Sequence, residues 1–224
     1  MDKLFFSEEH IMLVNMVADF ARSEIEPIAR ELDHESRFPK DIITKMGDLG
    51  LMGIPVPEQY GGAGMDTVAY AAAIVELAKA DASVAITVAA HTSLGTMPIV
   101  LSGSEEQKKE YVPKLASGKM LGAFGLTEPD AGSDAGATKT TAEKNGDYYI
   151  VNGGKIFITN AGVAGILSFT TQIIENGENK GIGAFVVPTD IDGLTIGPPE
   201  KKMVGKASDT QQLFLKICQY LKLI

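Results

Sequence analysis

The stretch that decides the fold is Gly125-Leu126-Thr127-Glu128-Pro129-Asp130-Ala131-Gly132-Ser133-Asp134-Ala135-Gly136-Ala137. It follows directly on the apolar run 120–126, which predicts a buried strand. Pro129 and Gly132 then interrupt strand pairing and leave backbone N–H groups free to meet an anion such as a pyrophosphate. The stretch therefore predicts a strand that ends in a ligand-binding turn.

Upstream of this stretch the hydrophobic residues recur at helical spacing. A helix is expected from Ser7 to about Leu32, with Ser7 as its N-cap and a bend at Pro27. Further helices are expected at 39–50, 66–80 and 83–94, and Ser104 opens another with the spacing of a capping box. The first part of the chain, residues 1–119, is therefore predicted to be an all-α domain.

Downstream of Lys119 the pattern changes to that of strands. Asn145-Gly146 is a strong hairpin signal, Gly153-Gly154 is expected to start a new strand, and further strands are expected at 166–173 and 182–187. The fold class is therefore α+β: an N-terminal helical domain followed by an antiparallel β domain over residues 120–214.

Two motifs in this order carry a resemblance to a known family. The Gly125–Ala137 stretch resembles the flavin-binding signature of the acyl-CoA dehydrogenases, and Lys155-Ile156-Phe157-Ile158-Thr159-Asn160 resembles the strand that the family places over the flavin ring. The resemblance extends from residue 1 to about residue 214. It implies the family's helical and β domains, an FAD cofactor, and α,β-desaturation of a short-chain acyl-CoA with hydride transfer to FAD.

The resemblance also implies roles for individual residues. Those expected to line the isoalloxazine edge are Phe124, Gly125, Leu126 and Thr127, and those expected to cover the ring are Phe157, Ile158 and Thr159. Ser133 is expected to meet the flavin pyrophosphate and to lie near the CoA pantetheine arm. Phe157 stands where the family more commonly has Trp. Glu128 and Asp134 are expected to brace the turn rather than to do chemistry.

The resemblance stops before the family's C-terminal helical domain, which supplies the glutamate base, so no residue of this chain is predicted to be catalytic. One permitted codon choice for Leu215–Lys222, read in a shifted frame, gives Glu-Asp-Leu-Pro-Val-Ser-Lys, which matches the family's continuation. We therefore expect a truncated chain with an out-of-frame tail at 215–224 and doubtful activity when isolated. The alternative is a non-catalytic FAD- or CoA-binding fragment, or a remnant without function.

Composition limits the partners and the location. The net charge of −9 argues against nucleic acid. A lone cysteine, Cys218, and an N-terminus that lacks the pattern of a targeting peptide favour the cytoplasm, and no membrane span is expected. His10, His34 and His91 share no spacing with cysteines or carboxylates, so no metal site is expected. The resemblance adds an acyl-CoA substrate, an electron-transfer flavoprotein and a homo-oligomer as partners.

Overall fold

The computed structural model describes residues 6–219 and residue 224, and it consists of a helical part followed by a seven-stranded sheet. The α-helices are α1 Glu8–Phe20, α2 Glu26–Glu35, α3 Lys40–Asp48, α4 Thr67–Ala80, α5 Ala82–Ala89, α6 Met97–Ser102 and α7 Glu105–Ala116. The strands are β1 Leu121–Gly125, β2 Thr141–Asn145, β3 Tyr148–Thr159, β4 Ala164–Glu175, β5 Glu178–Pro188, β6 Leu194–Ile196 and β7 Thr210–Gln219. The predicted fold class is confirmed.

Local capping signals set several helix starts. The Ser7 side chain accepts a hydrogen bond from the His10 N–H and caps α1, and Ser104 with Gln107 forms the expected capping box at α7. Helices α1 and α2 are joined by a π-helical turn, Ala21–Ile25, and Pro27 lies in the first turn of α2, where its missing N–H costs nothing. A second π-helical segment, Ala90–Thr96, joins α5 to α6.

The strand order is β1-β4-β2-β3-β7-β6, with β5 paired to β4. The Asn145-Gly146 hairpin between β2 and β3 is confirmed. The sheet is mixed rather than wholly antiparallel, because β1 and β2 both run parallel to β4. Parallel neighbours are not consecutive in the chain, so a local hairpin signal does not reveal them.

Gly153-Gly154 lies inside a continuous strand, so the prediction that it starts a new strand is wrong. The β3 ladder with β7 runs through both glycines. Gly153 has φ +153°, and a Cβ at this position would lie 2.4 Å from the Thr140 Oγ1. Glycine is present here because the loop before β2 packs directly on the strand.

Strand β7 continues past residue 214, where the β domain was predicted to end. Backbone pairing with β3 reaches Gln219, opposite Tyr149. Residues 220–223 of the predicted out-of-frame tail lie outside the described residues, and the Ile224 N–H donates to the Ala184 carbonyl at 2.8 Å. The domain boundaries and the origin of the tail stay predictions.

The helical part packs on the sheet through a shared core. Ile166 and Val186 of the sheet lie in one buried cluster with Ile99, Val112 and Leu115 of the helices. Packing of this kind fixes the position of the sheet relative to the helices, since interiors are close-packed.

One helical stretch, Ala82–Ser102, has the length and composition of a membrane span, with a mean hydropathy of 1.6 in its most apolar window. More than half of that window, 56%, is buried inside the protein. A buried core helix has the same properties, so the stretch is weak evidence for a membrane span.

Candidate functional site

The structure brings together the two segments that were predicted to face a flavin. The Ile156 N–H donates to the Thr127 carbonyl at 2.8 Å, so the segment that follows β1 lies beside the last part of β3. Upstream of this contact Phe124 is half-buried and Gly125 is buried, while Leu126 reaches the surface. A Cβ on Gly125 would lie 3.0 Å from Lys155 Cγ and 3.1 Å from Phe169 Cβ, so glycine permits a close approach there.

A bulge in β3 shapes the second segment. The pairing of β3 with β7 shifts register between Lys155 and Ile158, and Phe157 within the shift has φ +59°. Phe157 is consequently 61% exposed instead of packed in the sheet. Ile158 points the other way and is buried in the sheet core, so its side chain does not face the site. Thr159, half-buried, pairs with Thr210.

The turn after β1 offers free hydrogen-bond donors. Glu128 and Ala131 exchange backbone hydrogen bonds of 2.9 and 3.2 Å across a tight turn, and Ser133 follows it in an exposed position. Within residues 6–219, the N–H groups of Thr127, Gly132 and Ser133 have no acceptor, and the Ser133 hydroxyl has no partner. Such groups suit an anionic ligand. Within the described residues, no hydrogen bond or ring contact joins Ser133 to Phe157.

A buried ion pair lies beneath the turn. The Lys155 ammonium, fully buried, donates to Glu128 Oε1 at 2.6 Å, to the Leu126 carbonyl at 3.2 Å, to Thr138 Oγ1 at 3.2 Å and to Thr170 Oγ1 at 3.3 Å. Glu128 also accepts from the Thr138 hydroxyl, and from the backbone N–H groups of Lys139 at 2.6 Å and Thr140 at 3.1 Å. The expectation that Glu128 braces the turn is confirmed.

Burial alone raises the pKa of Glu128, but hydrogen bonds from Lys155, Thr138, Thr140 and Lys139 outweigh that effect and lower the pKa to about 2. Glu128 is therefore ionised at neutral pH and is unsuited to act as a general base. The Asp134 carbonyl accepts from the Ala137 N–H at 3.1 Å in the next turn of the chain, so a bracing role of its side chain stays a prediction. Its side chain is exposed.

Sequence reasoning missed the role of Lys155. A signal was present, because Lys155 has the same parity along β3 as the buried residues Tyr149 and Val151, and so faces the core. A lysine on the buried face of a strand requires a partner of opposite charge nearby. Within the described part of the chain there is no group of three or more His, Cys, Asp or Glu side chains that could hold a metal ion.

A groove of about 320 Å³ lies against the ion pair. It is lined by the turn, by the glycines of β3 and by Phe214 of β7. Phe214 is half-exposed there. The groove therefore adjoins the candidate site through Lys155 and Ile156, which line it as well.

Two family models match the chain. The acyl-CoA dehydrogenase N-terminal domain matches residues 7–119, and the acyl-CoA dehydrogenase middle domain matches residues 123–218. An acyl-CoA dehydrogenase of Bacillus subtilis (strain 168) is 50% identical over 208 residues, 92% of this chain and 55% of that protein. The short-chain specific acyl-CoA dehydrogenase of Clostridium acetobutylicum is 44% identical over 207 residues, 92% of this chain and 55% of that protein.

Solved structures with a similar fold also match this chain. A chain in the structure of the electron transferring flavoprotein of Acidaminococcus fermentans has a TM-score of 0.92 and 40% identity, covering all of this chain and 59% of that one. Butyryl-CoA dehydrogenase from Megasphaera elsdenii has a TM-score of 0.89 and 38% identity, with 96% and 57% covered. An acyl-CoA dehydrogenase complexed with FAD from Bacillus anthracis has a TM-score of 0.88 and 40% identity, with 100% and 38% covered. The present chain spans about half the length of the curated relatives it matches.

Proposed function

Because the chain belongs to the acyl-CoA dehydrogenase family, we propose that it binds FAD between the turn at 126–133 and the bulge at 157–159. The hydrogen bond between Ile156 and Thr127 carries this proposal, since it places both segments side by side. The residues fit the cofactor: Phe157 offers an exposed aromatic face, and the free N–H groups of Gly132 and Ser133 suit a pyrophosphate.

The reaction proposed for the protein is α,β-desaturation of a short-chain acyl-CoA. Bound FAD supplies hydride acceptance from the β-carbon of the thioester. In this chain, Thr127 and Thr159 orient the ring edge through hydroxyl and backbone groups, Phe157 shields the ring from water, and Ser133 holds the pyrophosphate and meets the CoA arm. Removal of the α-proton needs a carboxylate base, and we assign that role to no residue of this chain.

The relatives support the substrate and the partner. The Clostridium acetobutylicum relative is short-chain specific, and the Megasphaera elsdenii neighbour is a butyryl-CoA dehydrogenase. The Acidaminococcus fermentans neighbour comes from the structure of an electron transferring flavoprotein. We accordingly propose butyryl-CoA or a similar acyl-CoA as substrate, an electron-transfer flavoprotein as electron acceptor, a homo-oligomer as the assembled form, and the cytoplasm as location.

An anaerobic reduction experiment tests the activity. The purified chain is saturated with FAD, butyryl-CoA is added, and the visible flavin absorbance is followed, with free FAD as the control. Bleaching beyond the control supports desaturation by this chain. Bound flavin that stays oxidised contradicts activity and supports the alternative of a non-catalytic binding fragment. Absence of bound flavin contradicts the FAD proposal itself and favours a remnant.

A further inference from the structure

The buried ion pair contacts segments beyond the turn that Glu128 braces. Lys155 reaches three separate elements: the Leu126 carbonyl after β1, Thr138 before β2 and Thr170 on β4. Glu128 also accepts hydrogen bonds from the backbone N–H groups of Lys139 and Thr140. One pair of charges therefore joins the segments that surround the candidate site.

The contact with Leu126 is the most informative. Its carbonyl belongs to the peptide whose N–H is that of Thr127, so fixing the Leu126 oxygen also fixes the direction of the Thr127 N–H. That N–H has no acceptor within the described part of the chain, and it is one of the donors available to a ligand. The next carbonyl, of Thr127, is held by Ile156, the neighbour of Lys155.

We propose that Lys155 and Glu128 are positioning residues that aim the Thr127 backbone at the flavin, rather than a pair retained for stability alone. The inference rests on the proposed FAD site. The charged groups of both residues are buried beneath the turn and bonded within the protein, so we place their effect on the flavin in the orientation of the Thr127 peptide. A buried ion pair is a poor source of net stability, since desolvation of the charges offsets their attraction. In this site the ion pair serves to orient the peptide between Leu126 and Thr127.

Three variants separate positioning from stability. Lys155→Met removes the donor to Leu126 and leaves the Glu128 charge without its partner. Lys155→Met combined with Glu128→Gln removes both charges and keeps a side-chain oxygen for the Lys139 and Thr140 N–H groups. Lys144→Met is the control, because Lys144 is an exposed lysine that forms an ion pair with half-buried Glu175 at 3.4 Å in the same sheet.

The measurements are the midpoint of urea unfolding, the dissociation constant for FAD, and amide hydrogen exchange of the cofactor-free chain. We expect the double variant to recover most of the stability lost in Lys155→Met, because no unpaired buried charge remains. Its FAD affinity should stay weaker than that of the unmodified chain by about tenfold or more, a loss of about 1.4 kcal/mol. The control should change neither quantity.

Recovery of FAD affinity together with stability in the double variant would overturn the proposal. Amide hydrogen exchange of the cofactor-free chain tests the proposal without depending on flavin binding. We expect the Ile156 amide to exchange about tenfold faster in the double variant, while the amides of Phe185 and Val187 in β5 are unchanged. Unchanged exchange at Ile156 contradicts the positioning role of Lys155 and Glu128. Failure of the unmodified chain to bind FAD contradicts the proposed function instead. In that case the exchange rate of the Ile156 amide alone decides whether the ion pair orients the peptide.

Discussion

The backbone N–H of Gly122 donates to Nδ1 of His91 at 2.9 Å, which ties the first strand to the π-helical segment of the helical domain. The other ring nitrogen, Nε2, carries the proton and donates to the Leu115 carbonyl at 3.1 Å. His91 is fully buried, and desolvation lowers its pKa to about 4. The junction between helices and sheet therefore requires a neutral histidine.

This relationship predicts destabilisation in mild acid. The pKa of His91 is lowered from 6.5 to about 4, so between these values the unfolded chain binds the extra proton and the folded chain does not. The free energy of unfolding should be fully retained above pH 6.5 and should fall by about 3 kcal/mol as the pH drops toward 4. Urea unfolding at a series of pH values measures this slope.

His91→Gln should flatten the slope, because the titrating group is removed. His34→Gln is the control, since His34 is exposed on α2, and it should leave the slope unchanged. Equal slopes in the unmodified chain and His91→Gln would show that another group causes the acid sensitivity.

A second prediction concerns Gly95, where the helical segment touches the first strand. A Cβ on Gly95 would lie 2.5 Å from the carbonyl carbon of Gly122, and backbone atoms cannot give way as a flexible side chain does. Gly95→Ala should lower the free energy of unfolding by about 1–3 kcal/mol. Gly132→Ala is the matched control, because a Cβ there meets nothing within 4 Å. Similar unfolding midpoints for both variants would contradict the close approach.

A third prediction concerns the left-handed backbone of Phe157. A residue with a Cβ is destabilised by about 1–2 kcal/mol at such a φ, whereas glycine is not. Since the ring is largely exposed, Phe157→Gly should keep or slightly raise stability while weakening FAD binding, because the aromatic face is lost. Ile182→Gly, at an exposed strand position with ordinary φ, should lose about 0.5–1 kcal/mol. An equal loss at Phe157 would show that no strain is released there.

Local signals in the sequence predicted much of the fold. Ser7, Ser104-Gln107 and Asn145-Gly146 act through neighbours in the chain, so their caps and turn were predictable. The parallel pairing of β1 with β4 and the unbroken course of β3 depend on distant segments. For the same reason the prediction that Gly153-Gly154 begins a strand failed.

The candidate site was likewise predictable from the sequence only in part. The motifs identified the two segments, but the positive φ of Phe157 arises from the mismatch between β3 and β7, which no local pattern encodes. The burial of Lys155 follows from its parity on the strand, whereas its partners Thr138 and Thr170 come from other elements. The Gly122 contact of His91 spans 31 positions in sequence, beyond the reach of any capping pattern.

In the function proposed above, the turn at 126–133 and the bulge at 157–159 together form an FAD site. Titration of the cofactor-free chain with FAD, followed by quenching of flavin fluorescence, tests it most directly. We predict saturable binding that Ser133→Val and Thr159→Val each weaken by about tenfold, near 1.4 kcal/mol, while Thr195→Val on the exposed edge of β6 has no effect. Absence of saturable binding up to millimolar FAD, or equal affinities in all three variants, would contradict the account.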